Sequence, residues 1–406
     1  MTDPNPYRER GIRTVINAKG PATRLSGGIM RPEVIAAMAA AAGHCVDMAE
    51  LEAHASQVIA GITGAEAAYV ASGAAACLLL ATAACVTGLD PGRMARLPDT
   101  TGMRNEVIIV RSQRNFYDHA VRAAGIRLIE VGLPDRYAGA GMRDAEAWEI
   151  ADAITDRTAA VFYVADRQAR PPLRDVVAVA HAAAVPVIVD AAAQLPPEAN
   201  LRRFIAEGAD LVAFSGGKAI NGPQATGMLC GRRDLVMAAA LQHLDLDIAW
   251  EQWTPSPRLI DKGRLKGLPQ HGIGRTAKVG KEQIVGLLTA LELFVAEGDA
   301  TRHRHWRTLA EALAAGLDGL PGTTLAVTGT GNVEDVPTVL LTLAGGAPVS
   351  ALELVIALQD GTPPVAADPT RCDDGIVTFS PVCLQPGEPE LIAAAVRQAL
   401  ARGAYS

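Results

Sequence analysis

Ala209-Asp-Leu-Val-Ala-Phe-Ser-Gly-Gly-Lys218, together with the earlier run Val185-Pro-Val-Ile-Val-Asp190, decides the fold of this chain. Each is an apolar stretch of strand length that stops on a polar residue. A run with no polar alternation reads as a strand covered on both faces, as in a parallel sheet. Four more runs of this kind lie upstream, at Ala67–Val70, Val107–Val110, Leu128–Val131 and Ala160–Val164. Alanine-rich helical stretches separate them, and this βα rhythm predicts an α/β fold with a mostly parallel sheet flanked by helices.

The flanks follow. Residues 1–30 lack helical periodicity and read as an N-terminal arm, with the first regular helix at Arg31–Ala42. Residues 31–275 form the expected large α/β domain. Its last part, Leu235 to Arg275, breaks into two tryptophans, prolines and Gly267-Leu-Pro-Gln-His-Gly-Ile-Gly274, and reads as a long connection. Residues 276–406 are the expected smaller α+β domain, with helices at Lys281–Glu297 and Thr301–Leu317, strands at Val339–Leu343 and Ile376–Phe379, a Gly-Thr-Pro-Pro turn at 361–364 and a final helix.

The 406 residues are 49% apolar, enough for sizeable cores, and 37 basic against 44 acidic residues give a net charge of −7. Without a basic block, nucleic acid is not an expected partner. Six cysteines (Cys45, Cys77, Cys85, Cys230, Cys372, Cys383) form no C-x-x-C pair or metal-like spacing and read mainly as small core residues. Neither a signal-like N-terminus nor a membrane-length apolar run occurs, so the expectation is a cytoplasmic protein without a metal.

Ligands of open α/β sheets sit beyond the carboxyl ends of the strands, so the residues after each run are the candidates. Ser72, Gly73 and Ala74 open the helix after the first run, where free amides and the helix dipole hold a phosphate; a plain N-capping serine is the alternative. Arg111-Ser-Gln-Arg-Asn-Phe-Tyr-Asp-His119 follows the second, and Phe116, Tyr117 or His119 can stack on a ring or pack inward, while Arg114 is an anion contact or a solvated charge. After Ala160–Val164 come Asp166, Arg167 and Arg170, suited to a carboxylate-bearing substrate or to local ion pairs. Asp190, with Gln194 near it, ends one run, while Ser215 and Lys218 end the next. A buried carboxylate calls for a cation and a lysine amine can take up an aldehyde, a combination that pyridoxal 5'-phosphate supplies. Asp190 as a helix cap and Lys218 as a surface lysine are the plainer readings of each residue alone.

Competing motifs are weaker. Ser215-x-x-Lys218 matches a serine-nucleophile signature but lacks its Ser-Asp-Asn and Lys-Thr-Gly companions, and neither a dinucleotide nor a Walker glycine pattern occurs. His303 and His305 lie among Arg302, Arg304 and Arg307, which reads as a solvated helix face.

Ile16-Asn17-Ala18, Thr63-Gly-Ala-Glu-Ala67, Ser72-Gly-Ala-Ala-Ala76, Val189-Asp190 and Ser215-Gly-Gly-Lys218 with Gly222-Pro-Gln224 resemble the selenocysteine synthase-like group of fold-type I pyridoxal-phosphate enzymes, from about residue 14 to the C-terminus. Within the group the resemblance leans to the D-glucosaminate-6-phosphate ammonia lyase type. It implies Lys218 as the Schiff-base lysine, Asp190 as partner of the ring nitrogen, Ser72, Gly73 and Ser215 near the cofactor phosphate, and a homodimer or larger homo-oligomer. The tRNA-acting members carry a further domain before the Ile-Asn-Ala segment, which here begins at residue 16, so a small amino acid or amino-sugar acid is the expected substrate. Arginines of the synthase pattern are missing from Val365-Ala-Ala-Asp368 and Thr378-Phe-Ser-Pro381. Arg275 and Lys278 offer a substitute cationic site, or form a charged start to the next helix. The expected reaction is ammonia elimination from a 2-amino-3-hydroxy acid, with transamination, racemisation or β-replacement as alternatives from the same carbanion, and a non-catalytic cofactor-binding sensor or tRNA-binding relative as the alternative of another class.

Overall fold

A computed structural model of the chain describes residues 5–133, 144–269, 271–345 and 347–403. In chain order the strands are β1 (Ile16–Asn17), β2 (Ala67–Ala71), β3 (Glu106–Val110), β4 (Arg127–Val131), β5 (Thr158–Val164), β6 (Val187–Asp190), β7 (Leu211–Ser215), β8 (Gly227–Gly231), β9 (Thr323–Thr328), β10 (Thr338–Leu343), β11 (Val365–Ala366) and β12 (Ile376–Phe379). Two compact units result, one of Met30–Leu195 with Ala199–Leu293, the other of Met1–Ile29, Pro196–Glu198 and Phe294–Ser406.

In the larger unit the sheet order is β2-β8-β7-β6-β5-β3-β4. Each of the six apolar runs forms one of its strands, and β2, β3 and β8 are buried at every position. Strand β8 alone runs against its neighbours, pairing antiparallel with β2 and with β7. Only three side chains, Met228, Leu229 and Cys230, separate its glycines, too short a run to stand out from turn-rich sequence. Gly231 closes it at φ 155°, where a Cβ would meet the Asp210 carbonyl oxygen at 1.9 Å. The core against the sheet contains Tyr69, Phe162, Leu80, Ile109 and Leu229.

Helix Arg233–His243 occupies the start of the segment read as a long connection. Every residue from Leu235 to His243 is buried, so the helix is apolar all round and has no amphipathic period to reveal it. The Ala74–Thr87 helix is buried for the same reason along most of its length and packs on it.

The smaller unit holds the antiparallel sheet β12-β10-β9 and the parallel pair β1-β11. The division differs from the boundaries expected after residues 30 and 275. Arm residues Ile16 and Asn17 pair with Val365 and Ala366, and Lys19 meets Asp368 at 3.1 Å, so the arm clusters with the C-terminal part. Asn17 also folds the arm on itself, its Nδ2 donating to the Gly20 and Gly27 carbonyls at 3.0 Å each. The other boundary falls inside the element Lys281–Leu317, which Gly298 interrupts with φ 70° and ψ 158°. Lys281–Leu293 belongs to the larger unit and the rest to the smaller.

Arg302 and His303 correct the reading of a solvated helix face: each is 4% exposed. Arg302 is neutralised by Glu297 and Asp299 and lies 3.6 Å over the Phe294 ring, while His303 Nε2 donates to the Gly329 carbonyl at 2.9 Å. A buried cation of this kind needs carboxylate partners, and the turn at Gly298 supplies them within five residues. Cys77, Cys230 and Cys383 are buried, Cys85 and Cys372 are partly so, and Cys45 is exposed; all are free thiols. No helix among the described residues is long and apolar enough to cross a membrane.

Candidate active site

The larger sheet buries two aspartates at opposite ends of its strands, and their surroundings differ. Asp210, just ahead of β7, is held by Arg232 at 3.0 Å, by His181 at 2.8 Å and by the Val187 N–H at 2.8 Å. The carboxylate of Asp190, at the carboxyl end of β6 and 8% exposed, has one hydrogen bond among the described residues, from the Ala192 N–H at 3.0 Å. Burial therefore pushes its pKa above the ordinary 3.8, against the pull of that N–H and of the Lys218 charge. A buried carboxyl with so little support is suited to a cationic ligand.

Lys218 lies three residues beyond β7, the strand bonded to β6. Burial lowers its pKa from 10.5, partly opposed by Asp190, which favours a neutral, nucleophilic amine. Among the described residues this amine has no hydrogen bond or close ion pair. Two glycines bring it there. A Cβ at position 216 would lie 2.3 Å from Thr226 Oγ1, and one at position 217 would lie 2.6 Å from Gln224 Cα, so only bare backbone fits between β7 and the turn that leads to β8.

The third part is the opening of the Ala74–Thr87 helix. Gly73, at φ 101°, precedes it without a side-chain cap, so the first amides, from Ala74 onward, have no backbone acceptor within the helix. Gly227 connects this helix end with the lysine strand, since its register partners are Ala71 on one side and Ser215 on the other. A Cβ there would lie 2.4 Å from the Gly73 carbonyl carbon and 2.6 Å from the Ala74 nitrogen. Gly227→Ala should destabilise the protein by about 1–3 kcal/mol or more through this overpacking, a lowered melting temperature that thermal denaturation would detect.

Ser72 belongs to this region in a role the sequence did not reveal. Its hydroxyl donates to the Ala277 carbonyl at 2.7 Å, so the backbone amides that follow it, rather than its Oγ proton, remain available to an anion. Ala277 ends the Ile273–Ala277 turn, part of the Gly-rich connection. Gly272 and Gly274 let this segment lie directly on helix Arg233–His243: a Cβ on either would sit 2.6 or 2.8 Å from the Gln242 carbonyl oxygen. His243, 4% exposed, completes the group, Nε2 contacting the Ala277 carbonyl at 2.9 Å and Nδ1 the Tyr69 hydroxyl at 2.8 Å. Beneath Tyr69 lies Glu52, pushed up to about 8 by burial, its Oε2 accepting from the Val70 N–H at 3.1 Å.

The remaining candidates fall around these parts unevenly. Ser215 ends β7 half-buried, and Gln194 follows Asp190, its carbonyl accepting from Asn200 Nδ2 at 2.6 Å. Asp166, exposed after β5, caps its own turn by accepting from the Gln168 N–H at 2.7 Å; Arg167 is exposed, and Arg170 donates to the Ala169 carbonyl at 3.0 Å. Beyond β3, Arg114 is engaged by Asp118 and Glu130. Phe116 and Tyr117 are 92% and 60% exposed, and His119 contacts Arg122 at 2.9 Å. Arg114, Phe116 and His119 line a cavity of about 450 Å³ whose walls include neither Asp190 nor Lys218. Arg275 is held by the His243 carbonyl at 2.9 Å and Asp245 at 3.0 Å. Lys278, one residue past Ala277, is exposed and has no ion pair or hydrogen bond among the described residues.

Comparison with known proteins gives the family of the chain. The SelA family, L-seryl-tRNA selenium transferase, matches residues 46–249. A D-glucosaminate-6-phosphate ammonia lyase of Salmonella typhimurium is 34% identical over 77% of this chain and 76% of its own. A structure of an enzyme of that name superimposes with a TM-score of 0.80 at 29% identity, covering 100% of both chains. A 5'-C-glycyluridine monooxygenase-decarboxylase of Streptomyces is 32% identical over 95% of this chain and 90% of its own. Serine palmitoyltransferase from S. paucimobilis, with PLP-myriocin aldimine bound, shares the fold alone: TM-score 0.55 at 14% identity, over 96% of this chain and 88% of that one. With the Asp190–Lys218 strand ends on a mostly parallel sheet, these matches identify the chain as a member of the SelA family with the fold-type I architecture of pyridoxal-phosphate enzymes.

Proposed function

We propose that this chain is a pyridoxal-phosphate-dependent ammonia lyase acting on a 2-amino-3-hydroxy acid, with phosphorylated amino-sugar acids as its substrate class. The observation that carries the reading is the pair at neighbouring strand ends: a buried carboxyl with one hydrogen bond and a half-buried lysine whose pKa burial lowers. The 34% identity to a D-glucosaminate-6-phosphate ammonia lyase supports the choice of reaction.

Pyridoxal phosphate, when bound, supplies an aldehyde for amines and a ring that accepts the electron pair left when a proton leaves the adjacent carbon. The cofactor fits the residues present. Lys218 Nζ would hold the aldehyde, Asp190 would face the ring nitrogen and keep it protonated, and the amides opening the Ala74–Thr87 helix would take the phosphate. Lys218 Nζ, when not holding the aldehyde, would accept the proton from the substrate α-carbon and pass a proton to the departing β-hydroxyl. Water lost at the β-carbon is returned when the product imine hydrolyses, so the net products are a 2-oxo acid and ammonia. Lys278 is our choice for the acidic group of the substrate, because Arg114 and Arg275 already hold carboxylates. The exposed apolar side chains Tyr7, Ile12 and Ile29 on the arm support a homo-oligomer.

The Streptomyces relative, matching over 95% of this chain, favours a second reading in which a related amino acid is oxidised and decarboxylated. One assay separates them. The protein is incubated with a panel of D- and L-2-amino-3-hydroxy acids, phosphorylated and not, while ammonia, 2-oxo acid, carbon dioxide and oxygen uptake are followed. The lyase reading expects stoichiometric ammonia and 2-oxo acid without an amino acceptor or oxygen. Oxygen uptake with carbon dioxide release, or a requirement for an amino acceptor, would reject it.

A further inference from the structure

We infer that His243 is a positioning residue for the phosphate-binding end of the site: it fixes the Ala277 carbonyl, which in turn anchors Ser72 at the opening of the Ala74–Thr87 helix. The inference rests on the cofactor reading above and concerns His243, Tyr69 and the Ala277 carbonyl, which no part of that reading uses.

Hydrogen-bond chemistry sets the direction of the chain. The Ala277 carbonyl can only accept, so the proton lies on His243 Nε2, 2.9 Å away. Desolvation lowers the pKa of His243, which keeps the ring neutral, and Nδ1 is then the acceptor for the Tyr69 hydroxyl at 2.8 Å. Ser72 Oγ donates to the same carbonyl at 2.7 Å, so both lone pairs of the Ala277 oxygen are used. The His243 main chain adds a second hold on the segment through Arg275 Nη1 at 2.9 Å. Tyr69 is fully buried in β2, three residues before Ser72, and it meets the His243 ring edge-on at a centroid distance of 5.3 Å. One imidazole thus ties the strand before the helix opening to the turn that ends the Gly-rich connection. Neither Tyr69 nor His243 has a place in the chemistry at Lys218, and a histidine needed only for packing would not have to face a carbonyl that also holds Ser72.

Ligand discrimination distinguishes a phosphate-positioning role from a merely structural one. Apoprotein of wild type, His243→Phe, His243→Gln and Ser72→Ala is titrated with pyridoxal phosphate and with pyridoxal, which lacks only the phosphate. His243→Phe should weaken pyridoxal phosphate binding by about 10-fold, the upper scale of one buried neutral hydrogen bond, and leave pyridoxal within about twofold. His243→Gln, which keeps a donor for the Ala277 carbonyl, should recover most of the loss. Ser72→Ala, a smaller change at the other end of the link, should give the same phosphate-selective loss even where His243→Phe folds poorly. An equal loss for both ligands, or unchanged discrimination in Ser72→Ala and the His243 variants, overturns the inference alone. A wild type that does not prefer pyridoxal phosphate to pyridoxal overturns the cofactor reading and the inference with it.

Discussion

Lys218→Ala is expected to lower ammonia release by roughly 10³-fold or more, because it removes both the aldehyde-holding amine and the base. The purified variant should also lose the visible absorbance of lysine-bound cofactor, while its far-ultraviolet dichroism stays that of the wild type. The second expectation follows from where the residue sits. Lys218 follows β7 directly after the closely packed Gly216 and Gly217, and its amine makes no hydrogen bond or close ion pair among the described residues. Cutting it back to alanine therefore removes an amine without orphaning a buried partner. The rate at which apoprotein captures pyridoxal phosphate should rise with pH and level off below 10.5, since burial lowers the lysine pKa from that value. Retention of colour and turnover by Lys218→Ala would assign the chemistry to another amine, with Lys278 the nearest alternative in kind.

Asp190→Asn keeps the shape of the side chain and removes its charge, and it should lower turnover by roughly 10²- to 10³-fold, the loss typical of one electrostatic stabiliser. Burial raises the Asp190 pKa above 3.8, so the charged form that a cationic ring nitrogen needs is lost as pH falls through that raised value. Wild-type affinity for pyridoxal phosphate should accordingly weaken on the acid side as pH falls through a value above 3.8. The asparagine variant, having nothing to titrate there, should lose this acid limb while binding less tightly at neutral pH. An acid limb unchanged in Asp190→Asn would show that another group is responsible.

Most of the larger unit was legible because its strands, the edge strand β4 apart, are covered on both faces and therefore read as apolar runs. The residues that end them, Asp190 and Lys218, stood out by contrast with what precedes them. Legibility failed where burial was equally complete but carried no period. Helix Arg233–His243 is apolar on all sides and looked like part of an irregular connection, and β8 is three side chains between glycines. The same limit hid the His243–Ala277–Ser72 link. Its middle member is a main-chain carbonyl, which no side-chain pattern reports, and its ends are 171 residues apart. A partial signal existed in Gly272 and Gly274, whose missing side chains admit the Gln242 backbone. The division of the units differs from the expected boundaries because β1 pairs over almost the whole chain length with β11, and because most of the expected helix Lys281–Glu297 clusters with the larger unit.

Borohydride reduction of the protein with pyridoxal phosphate bound, followed by proteolysis and mass mapping, tests the central claim most directly. The account predicts a pyridoxyl group on the peptide that carries Lys218 and on no other lysine. A label on Lys278 or elsewhere, or a protein that binds the cofactor yet takes no label, would contradict it.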